Sequence, residues 1–329
     1  MPASATKVLP ADLQAVAIAG QWLRQGLLVA FPTETVYGLG ASTFDPGALS
    51  RVYELKGRPS ENPLIVHLRS VSDLPLVAAP LGESGRRRVE TLAERFWPGP
   101  LTLVLPRAAG VPAIASGGLE SIAVRVPAHP VAMALLEAFG GPLSAPSANR
   151  SGGVSPTDAA HVLADFPDRS ELVILDGGPS RVGVESTVLD LVSPRPRVLR
   201  PGAVTVEQLR EAIGEVEEPQ VDSQDASPGT AWRHYAPRTP ARLVASEHLA
   251  AAAARGGAVG VIAMSPISLP PPARVWAMPV DAEAYASRLY AVLREADAAG
   301  LRELLVERPA IRAGLWSAIV DRLERATRG

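Results

Sequence analysis

The stretch Lys56-Gly57-Arg58-Pro59-Ser60-Glu61-Asn62-Pro63-Leu64-Ile65-Val66-His67-Leu68 joins the end of a helix, a charged loop and a short apolar strand. Upstream, Asp45-Pro46 reads as an N-cap followed by a first-turn proline, and Leu49, Val52, Tyr53 and Leu55 carry the helix forward to Lys56. Gly57 and Pro59 stop it. Leu64 to Leu68 then has the length and composition of a buried strand, in which alternation places His67 on the opposite face from Val66. A helix feeding a strand through a loop of this kind predicts an α/β fold. The loop itself suits anions, because Arg58 offers a planar fork of donors for phosphate or carboxylate oxygens and Lys56 adds a point charge. Lys56 has a second reading, as a cation placed to complement the helix macrodipole.

The same grammar extends in both directions. A first helix follows Pro10 on the spacing of Leu13, Val16, Ala17 and Leu23, with Gly26 at its end. Leu27-Leu28-Val29-Ala30-Phe31 is a strand closed by Pro32, and Thr33, Glu34 and Thr35 follow at its end, where open α/β sheets bind ligands. Those hydroxyls read equally well as a turn bonding its own backbone. Further elements are a helix from Arg86 to Trp97, strands at Leu101–Leu105 and Ile122–Val126, and a helix from Pro130 to Phe139. Then come strands at Leu172–Leu175 and Ser186–Leu191, another that ends at Arg200-Pro201-Gly202, and a helix from Val206 to Ile213. Arg125 stands between two valines on its strand, either facing solvent or aimed at an anion. The run from Pro142 to Gly152 is rich in small and hydroxyl residues, as in an ordinary Ser/Pro loop or a phosphate cradle.

The chain divides into a domain over 1–213, a linker over 214–240 and a second domain over 241–329. Acidic residues and prolines without apolar periodicity mark the linker, which ends in the aromatic and basic cluster Trp232-Arg233-His234-Tyr235-Ala236-Pro237. Short apolar runs alternate with helical stretches near 282–299 and 317–325, predicting a small α/β domain with parallel strands.

Composition narrows the function classes. The net charge of -2 over 329 residues gives no global drive toward nucleic acid, and Arg86-Arg87-Arg88 reads as the solvated face of a helix. The absence of cysteine excludes disulfides and thiolate chemistry. Met1 to Lys7 carries no signal-peptide pattern and no window approaches ~18 uninterrupted apolar residues, so a soluble, cytoplasmic protein without membrane partners is expected. No Walker-type or Gly-x-Gly-x-x-Gly loop is present, so any nucleotide is held by another route.

Seven segments in order resemble the long form of the threonylcarbamoyl-AMP synthase family, a YrdC-like domain followed by a C-terminal extension. They are Phe31 to Gly40, Lys56 through His67, Phe96 to Leu103, Ala123 to Pro127, Ser144 to Asn149, Glu185 to Val188 and Arg233 to Pro237. Trp316, in Gly314-Leu-Trp-Ser-Ala-Ile319, stands where the family pattern is expected to have a glycine. The resemblance implies a twisted mixed sheet in the YrdC-like domain and a smaller Rossmann-like α/β domain. It implies formation of threonylcarbamoyl-AMP and pyrophosphate from L-threonine, bicarbonate and ATP, with Mg²⁺ accompanying ATP, for threonylcarbamoyladenosine in tRNA. A carbamoyl-transferring, tRNA-modifying complex would act downstream, and direct binding of tRNA is left open.

Carried over by matching position, Lys56 and Arg58 are catalytic, and Arg58, Asn62, Ser121, Ser147, Ser155, Arg200 and Tyr235 face ATP. Thr35, His67, Arg125, Ala145 and Ser186 hold threonine, which turns His67 from a strand histidine into a ligand group. Lys56 and Arg58 would lie around the reacting anions, and Arg125 would clamp the amino acid carboxylate with two prongs. His234 and Tyr235 are expected to gate the site. Two other readings use the same residues: a double-stranded RNA-binding module without catalysis, and an ATP-dependent carbamoyl transferase with a different acceptor.

Overall fold

The computed structural model describes residues 5–218, 234–254 and 257–328. The chain opens with β1 (Lys7–Pro10), α1 (Leu13–Arg24), β2 (Leu28–Phe31), β3 (Gly38–Ser42), α2 (Pro46–Lys56) and β4 (Ile65–His67). It continues through α3 (Leu74–Val77), α4 (Glu83–Phe96), β5 (Leu101–Pro106), β6 (Ser121–Arg125), α5 (Pro130–Phe139), β7 (Leu143–Ser144) and α6 (Ala159–Asp165). β8 (Leu172–Asp176), β9 (Thr187–Asp190), β10 (Arg197–Arg200) and α7 (Val206–Ile213) follow. These strands form one mixed ten-stranded sheet in the order β1-β8-β2-β3-β7-β4-β6-β5-β9-β10. The remaining elements are β11 (Ala241–Val244), α8 (Ser246–Ala254), β12 (Val259–Ala263), β13 (Arg274–Ala277), α9 (Ala282–Ala298), β14 (Glu303–Glu307) and α10 (Leu315–Ala326). Their four strands form a separate, wholly parallel sheet in the order β11-β14-β12-β13.

The helix that decides the fold forms for the reasons visible in its sequence. Asp45 accepts hydrogen bonds from the Gly47 and Ala48 amides at 2.9 and 3.0 Å, Pro46 occupies the first turn, and Gly57 ends α2 with φ +62°. The first helix uses a different stripe from the expected one. Leu13 is 86% exposed and Ala17 is also outside, while Ala15, Val16, Ala19 and Leu23 turn inward against α5. Gly20 permits that contact, since a Cβ there would meet the Ala138 carbonyl group at 3.1 Å.

Three strands escaped the sequence pattern. β1 is mostly exposed on its side chains, β7 is only two residues long, and β3 reads Gly-Leu-Gly-Ala-Ser, with too few β-branched residues to announce a strand. The β2–β3 hairpin nevertheless brings Phe31 over Gly40, where an added Cβ would lie 2.7 Å from the ring. Three short helices, α3, α6 and α8, were also not anticipated.

The two sheets share a junction with its own apolar core, joining Val36, Val154, Val184 and Tyr235 to Tyr285, Leu289, Tyr290 and Ile319. Arg294 of α9 adds an ion pair to Asp165 at 2.7 Å and donates to the Ser155 and His161 carbonyls. Part of the stretch read as linker is docked: Val198 donates to the Glu217 carbonyl, Glu217 donates to Pro196, and Val216 is buried. Of the aromatic and basic cluster, Trp232 and Arg233 lie outside the described residues, whereas His234 and Tyr235 are buried. Trp316 fills the gap between the two C-terminal helices, its ring 5.2 Å from Tyr285. Among the described residues, no helix is long and apolar enough to cross a membrane. The arginine run on α4 faces solvent, with Arg86 and Glu90 paired at 2.6 Å and Arg87 paired with Glu83.

Candidate active site

Sheet register creates the site. β4 runs parallel to β6 with His67 opposite Arg125, so the two side chains emerge next to each other at the same ends of neighbouring strands. Phe31 at the end of β2 meets the His67 ring edge-on at 5.9 Å. Around them lies a cavity of about 50 Å³ whose lining includes Thr35, Arg58, Arg125, Ser147, Ser186 and Arg200. His234 and Tyr235 also line it, from beyond the first domain.

Three arginines approach this space from three segments, and each is buried. Arg58 is held by its own loop: its Nε and one terminal nitrogen donate to the Asn62 carbonyl at 3.1 Å, the Asn62 Oδ1 at 2.6 Å and the Pro63 carbonyl at 2.9 Å. Burial lowers its pKa to about 10, which still leaves it charged near neutrality. Arg125 pairs with Glu34 at 2.5 Å and donates to the Thr35 hydroxyl at 3.0 Å and the Gly99 carbonyl at 3.2 Å. Arg200 donates to the Ser186 carbonyl at 2.9 Å and to the Ser186 hydroxyl at 3.1 Å. That hydroxyl lies 2.8 Å from Thr102 Oγ1, so Ser186 has a defined orientation.

Both histidines are neutral. Burial, followed by the Arg125 charge, lowers the His67 pKa to about 3, while burial and the Arg58 charge do the same to His234. His67 Nδ1 sits 3.1 Å from the Ile65 carbonyl, leaving Nε2 as its remaining polar atom. Glu185 is the acid of the lining. Burial raises its pKa, but the charges of Arg322 and Arg200 and hydrogen bonds from Ser155 and Arg322 outweigh that and hold it at about 2.

Nine of the anticipated residues meet at the cavity: Thr35, Arg58, His67, Arg125, Ala145, Ser147, Ser186, Arg200 and Tyr235. Lys56 does not. Its ammonium is turned inward to the carbonyls of Ser147 at 2.6 Å and Asn149 at 2.5 Å, so it braces the 147–149 loop where an anion contact was expected. Burial and the neighbouring Arg58 push its pKa well below the ordinary lysine value. Asn62 orients Arg58 from behind, and Ser155 donates to Glu185 at 2.6 Å. Ser121 is at the other end of β6, roughly 13 Å along the strand from Arg125. It follows the 113–119 segment that packs on the Arg58 loop, where a Cβ on Gly117 would lie 2.5 Å from the Glu61 carbonyl oxygen.

Each Arg125 guanidinium nitrogen has a protein partner, so a carboxylate gripped by two prongs would use the second N–H of each terminal nitrogen and share the group with Glu34. Of the alternative readings at 33–35, Thr33 takes the turn: its hydroxyl donates to the Val36 carbonyl at 2.6 Å. Thr35 takes the site. Glu185 sat inside a segment noted for other residues, and only its burial at the cavity distinguishes it.

A family model for Sua5/YciO/YrdC proteins, described as "Telomere recombination", matches residues 21–202. The chain belongs to this family. A second model, described as "Threonylcarbamoyl-AMP synthase, C-terminal domain", matches residues 204–327, so the long form of the Sua5/YciO/YrdC family is represented. The chain is 49% identical over 227 residues to a threonylcarbamoyl-AMP synthase of Pyrococcus abyssi (strain GE5 / Orsay), covering 68% of this chain and 65% of that protein. It is 45% identical over 230 residues to the Bacillus subtilis (strain 168) protein of the same name, with the same coverage of 68% and 65%. The alignments therefore span just under two thirds of these relatives' own lengths. The crystal structure of P. abyssi Sua5 complexed with L-threonine superposes with a TM-score of 0.88 at 39% identity, over 98% of this chain and 96% of that one.

Proposed function

We propose that the protein is an L-threonylcarbamoyladenylate synthase, a nucleotidyltransferase acting in the cytoplasm on L-threonine, bicarbonate and ATP. The observation that carries this reading is the convergence of Arg58, Arg125 and Arg200 on one cavity beside His67, Thr35 and Ser186. The similarity to a Sua5 protein crystallised with L-threonine supports the choice of amino acid.

The chemistry requires two anions to meet. The amine of threonine captures bicarbonate as N-carboxy-threonine with loss of water, and a carboxylate oxygen then attacks the α-phosphorus of ATP as the bond to pyrophosphate breaks. Thr35, neutral His67, Ser186 and the shared Arg125 hold the amino acid through hydroxyl, imidazole and guanidinium groups. Ala145 supplies a wall without steric bulk. Arg58, Ser147 and Arg200 face the nucleotide, where their fixed positive charge reduces repulsion and stabilises charge on the transferring group. Much of the rate gain comes from assembling three reactants in one orientation. No side chain need form a covalent bond to substrate.

Mg²⁺ enters this reading with the phosphates of ATP. The side chains do not form a protein cage for it: Glu185, the acid of the cavity lining, already accepts from Ser155, Tyr290 and Arg322, and the described residues contain no group of three potential metal-binding His, Cys, Asp or Glu side chains. A cavity of about 50 Å³ is below the roughly 300 Å³ of even a small ligand site, and a shift of His234 and Tyr235 out of its lining would enlarge it for ATP.

The test is pyrophosphate release. It should require threonine and bicarbonate together, and release that persists without threonine would overturn the reading. Tight, salt-dependent RNA binding with no ATP turnover would favour the RNA-binding class instead.

A further inference from the structure

Arg322 belongs to α10 in the C-terminal part of the chain, yet its side chain is fully buried at the edge of the site built by the first domain. Its Nε donates to Glu185 Oε2 at 2.7 Å, and one terminal nitrogen donates to the Pro201 carbonyl at 2.9 Å. Its guanidinium carbon lies over the Tyr235 ring, 5.1 Å from the centroid. Each contact is one residue from a cavity group or on one: Glu185 precedes Ser186, Pro201 follows Arg200, and Tyr235 is itself in the lining. Tyr290 of α9 supports the same carboxylate, donating to Glu185 Oε2 at 2.9 Å, and its ring stacks on Tyr235 at 5.7 Å.

The segments that Arg322 grips have little room to adjust. At Gly183, with φ +78°, an added Cβ would lie 2.3 Å from the Ala286 carbonyl oxygen of α9. At Gly202 it would lie 2.3 Å from the Thr187 amide nitrogen. The turn carrying Glu185 is therefore pressed against the C-terminal domain, and the turn carrying Arg200 is pressed against Ser186 and Thr187. A buried carboxylate with two supporting donors and one cation fixes both turns at once.

We propose that Arg322 is a positioning residue of the active site, which sets the Ser186 and Arg200 groups through Glu185 and the Pro201 carbonyl, with Tyr290 as its partner. The C-terminal domain thereby completes a site whose substrate contacts it does not itself make. This inference rests on the synthase reading for its assay.

The experiment uses the full chain and measures threonine- and bicarbonate-dependent pyrophosphate release, with circular dichroism to confirm folding at the assay temperature. Arg322→Gln should lower kcat/KM by about tenfold to a hundredfold, with higher KM for threonine and ATP, because it leaves the buried Glu185 charge without its hydrogen-bonded cation and with Arg200 alone to offset it. Arg322→Lys should recover part of the loss. Glu185→Gln combined with Arg322→Gln should be no worse than Arg322→Gln alone, since the two act as one unit. Tyr290→Phe should raise the same KM values by a few-fold. Asp165→Asn is the comparator: it breaks the Arg294 pair at the same junction and should lower thermal stability without moving KM.

Wild-type kcat and KM in folded Arg322→Gln, or fully multiplicative losses in the double variant, would overturn the proposal. If Arg322→Gln does not fold, Tyr290→Phe decides, and unchanged KM values in it would overturn the proposal equally. Absence of substrate-dependent pyrophosphate release from the wild type would instead overturn the synthase reading itself.

Discussion

The carboxyl ends of β4 and β6 in the large sheet and of β12 and β14 in the small one are the same kind of platform, with opposite contents. At the first, His67 and Arg125 emerge side by side into a cavity, beside a turn whose Thr35 hydroxyl faces Arg125. At the second, Glu307 folds back over the strand ends and accepts from the Met264 amide at 2.6 Å, the Ser265 amide at 2.8 Å and the Ser265 hydroxyl at 2.6 Å. The donors that could cradle an anion there are saturated by the chain's own carboxylate. Parallel strand ends therefore provide an opportunity for binding, and the side chains decide whether it is taken. The small sheet contributes through its helices, as Arg322 and Tyr290 show.

The contrast can be broken by substitution, and the largest expected effect is at the first platform. Glu34→Ala strands the Arg125 charge in the interior and should cost about 3–5 kcal/mol of stability, read as a fall in the denaturant midpoint. A midpoint near the wild-type value would mean that water reaches Arg125. Arg58→Ala should lower kcat/KM by about 3 kcal/mol, roughly a hundredfold, through loss of a charge-assisted contact at the transition state. Wild-type turnover would remove Arg58 from the chemistry. Glu307→Gln, at the second platform, should cost about 1–3 kcal/mol of stability while kcat and KM stay unchanged. Loss of turnover in the folded protein would show that the small sheet's strand ends take part.

A pH series sharpens the boundary between the two regions. Glu185 has its folded pKa depressed to about 2 from the ordinary glutamate value of 4.5, so its ionic stabilisation is fully present above the unfolded value and is lost as pH falls toward 2. The stability difference between wild type and Glu185→Gln should be constant above about pH 5 and shrink below it. A difference that does not vary across that window would mean that the Arg322 pair is not formed in solution. The smallest effect belongs to the exposed α4 pair, where Arg86→Ala should change stability by no more than about 0.5 kcal/mol.

Much of the first platform was legible in the chain because its signals are local. Asp45, Pro46 and Gly57 define a helix by capping chemistry within a few residues, and Leu64 to Leu68 announces its strand by composition alone. β3 and β7 were not legible, since a glycine-rich strand and a two-residue strand exist only because neighbours pair with them. Ser155 shows the same limit from the other side: its hydroxyl bonds Glu185, a partner thirty positions away that no local pattern announces.

The sequence by itself determined the α/β character, the order of most elements and the residue types available for holding anions, because propensity, capping and periodicity act over a few residues. Only the tertiary structure decided where those residues point. Register placed His67 beside Arg125, the Ser147 and Asn149 carbonyls turned Lys56 inward, and the packing of α10 carried Arg322 to Glu185. Such contacts join segments up to 137 positions apart, and burial makes their polar partners obligatory while leaving no periodic trace in the chain.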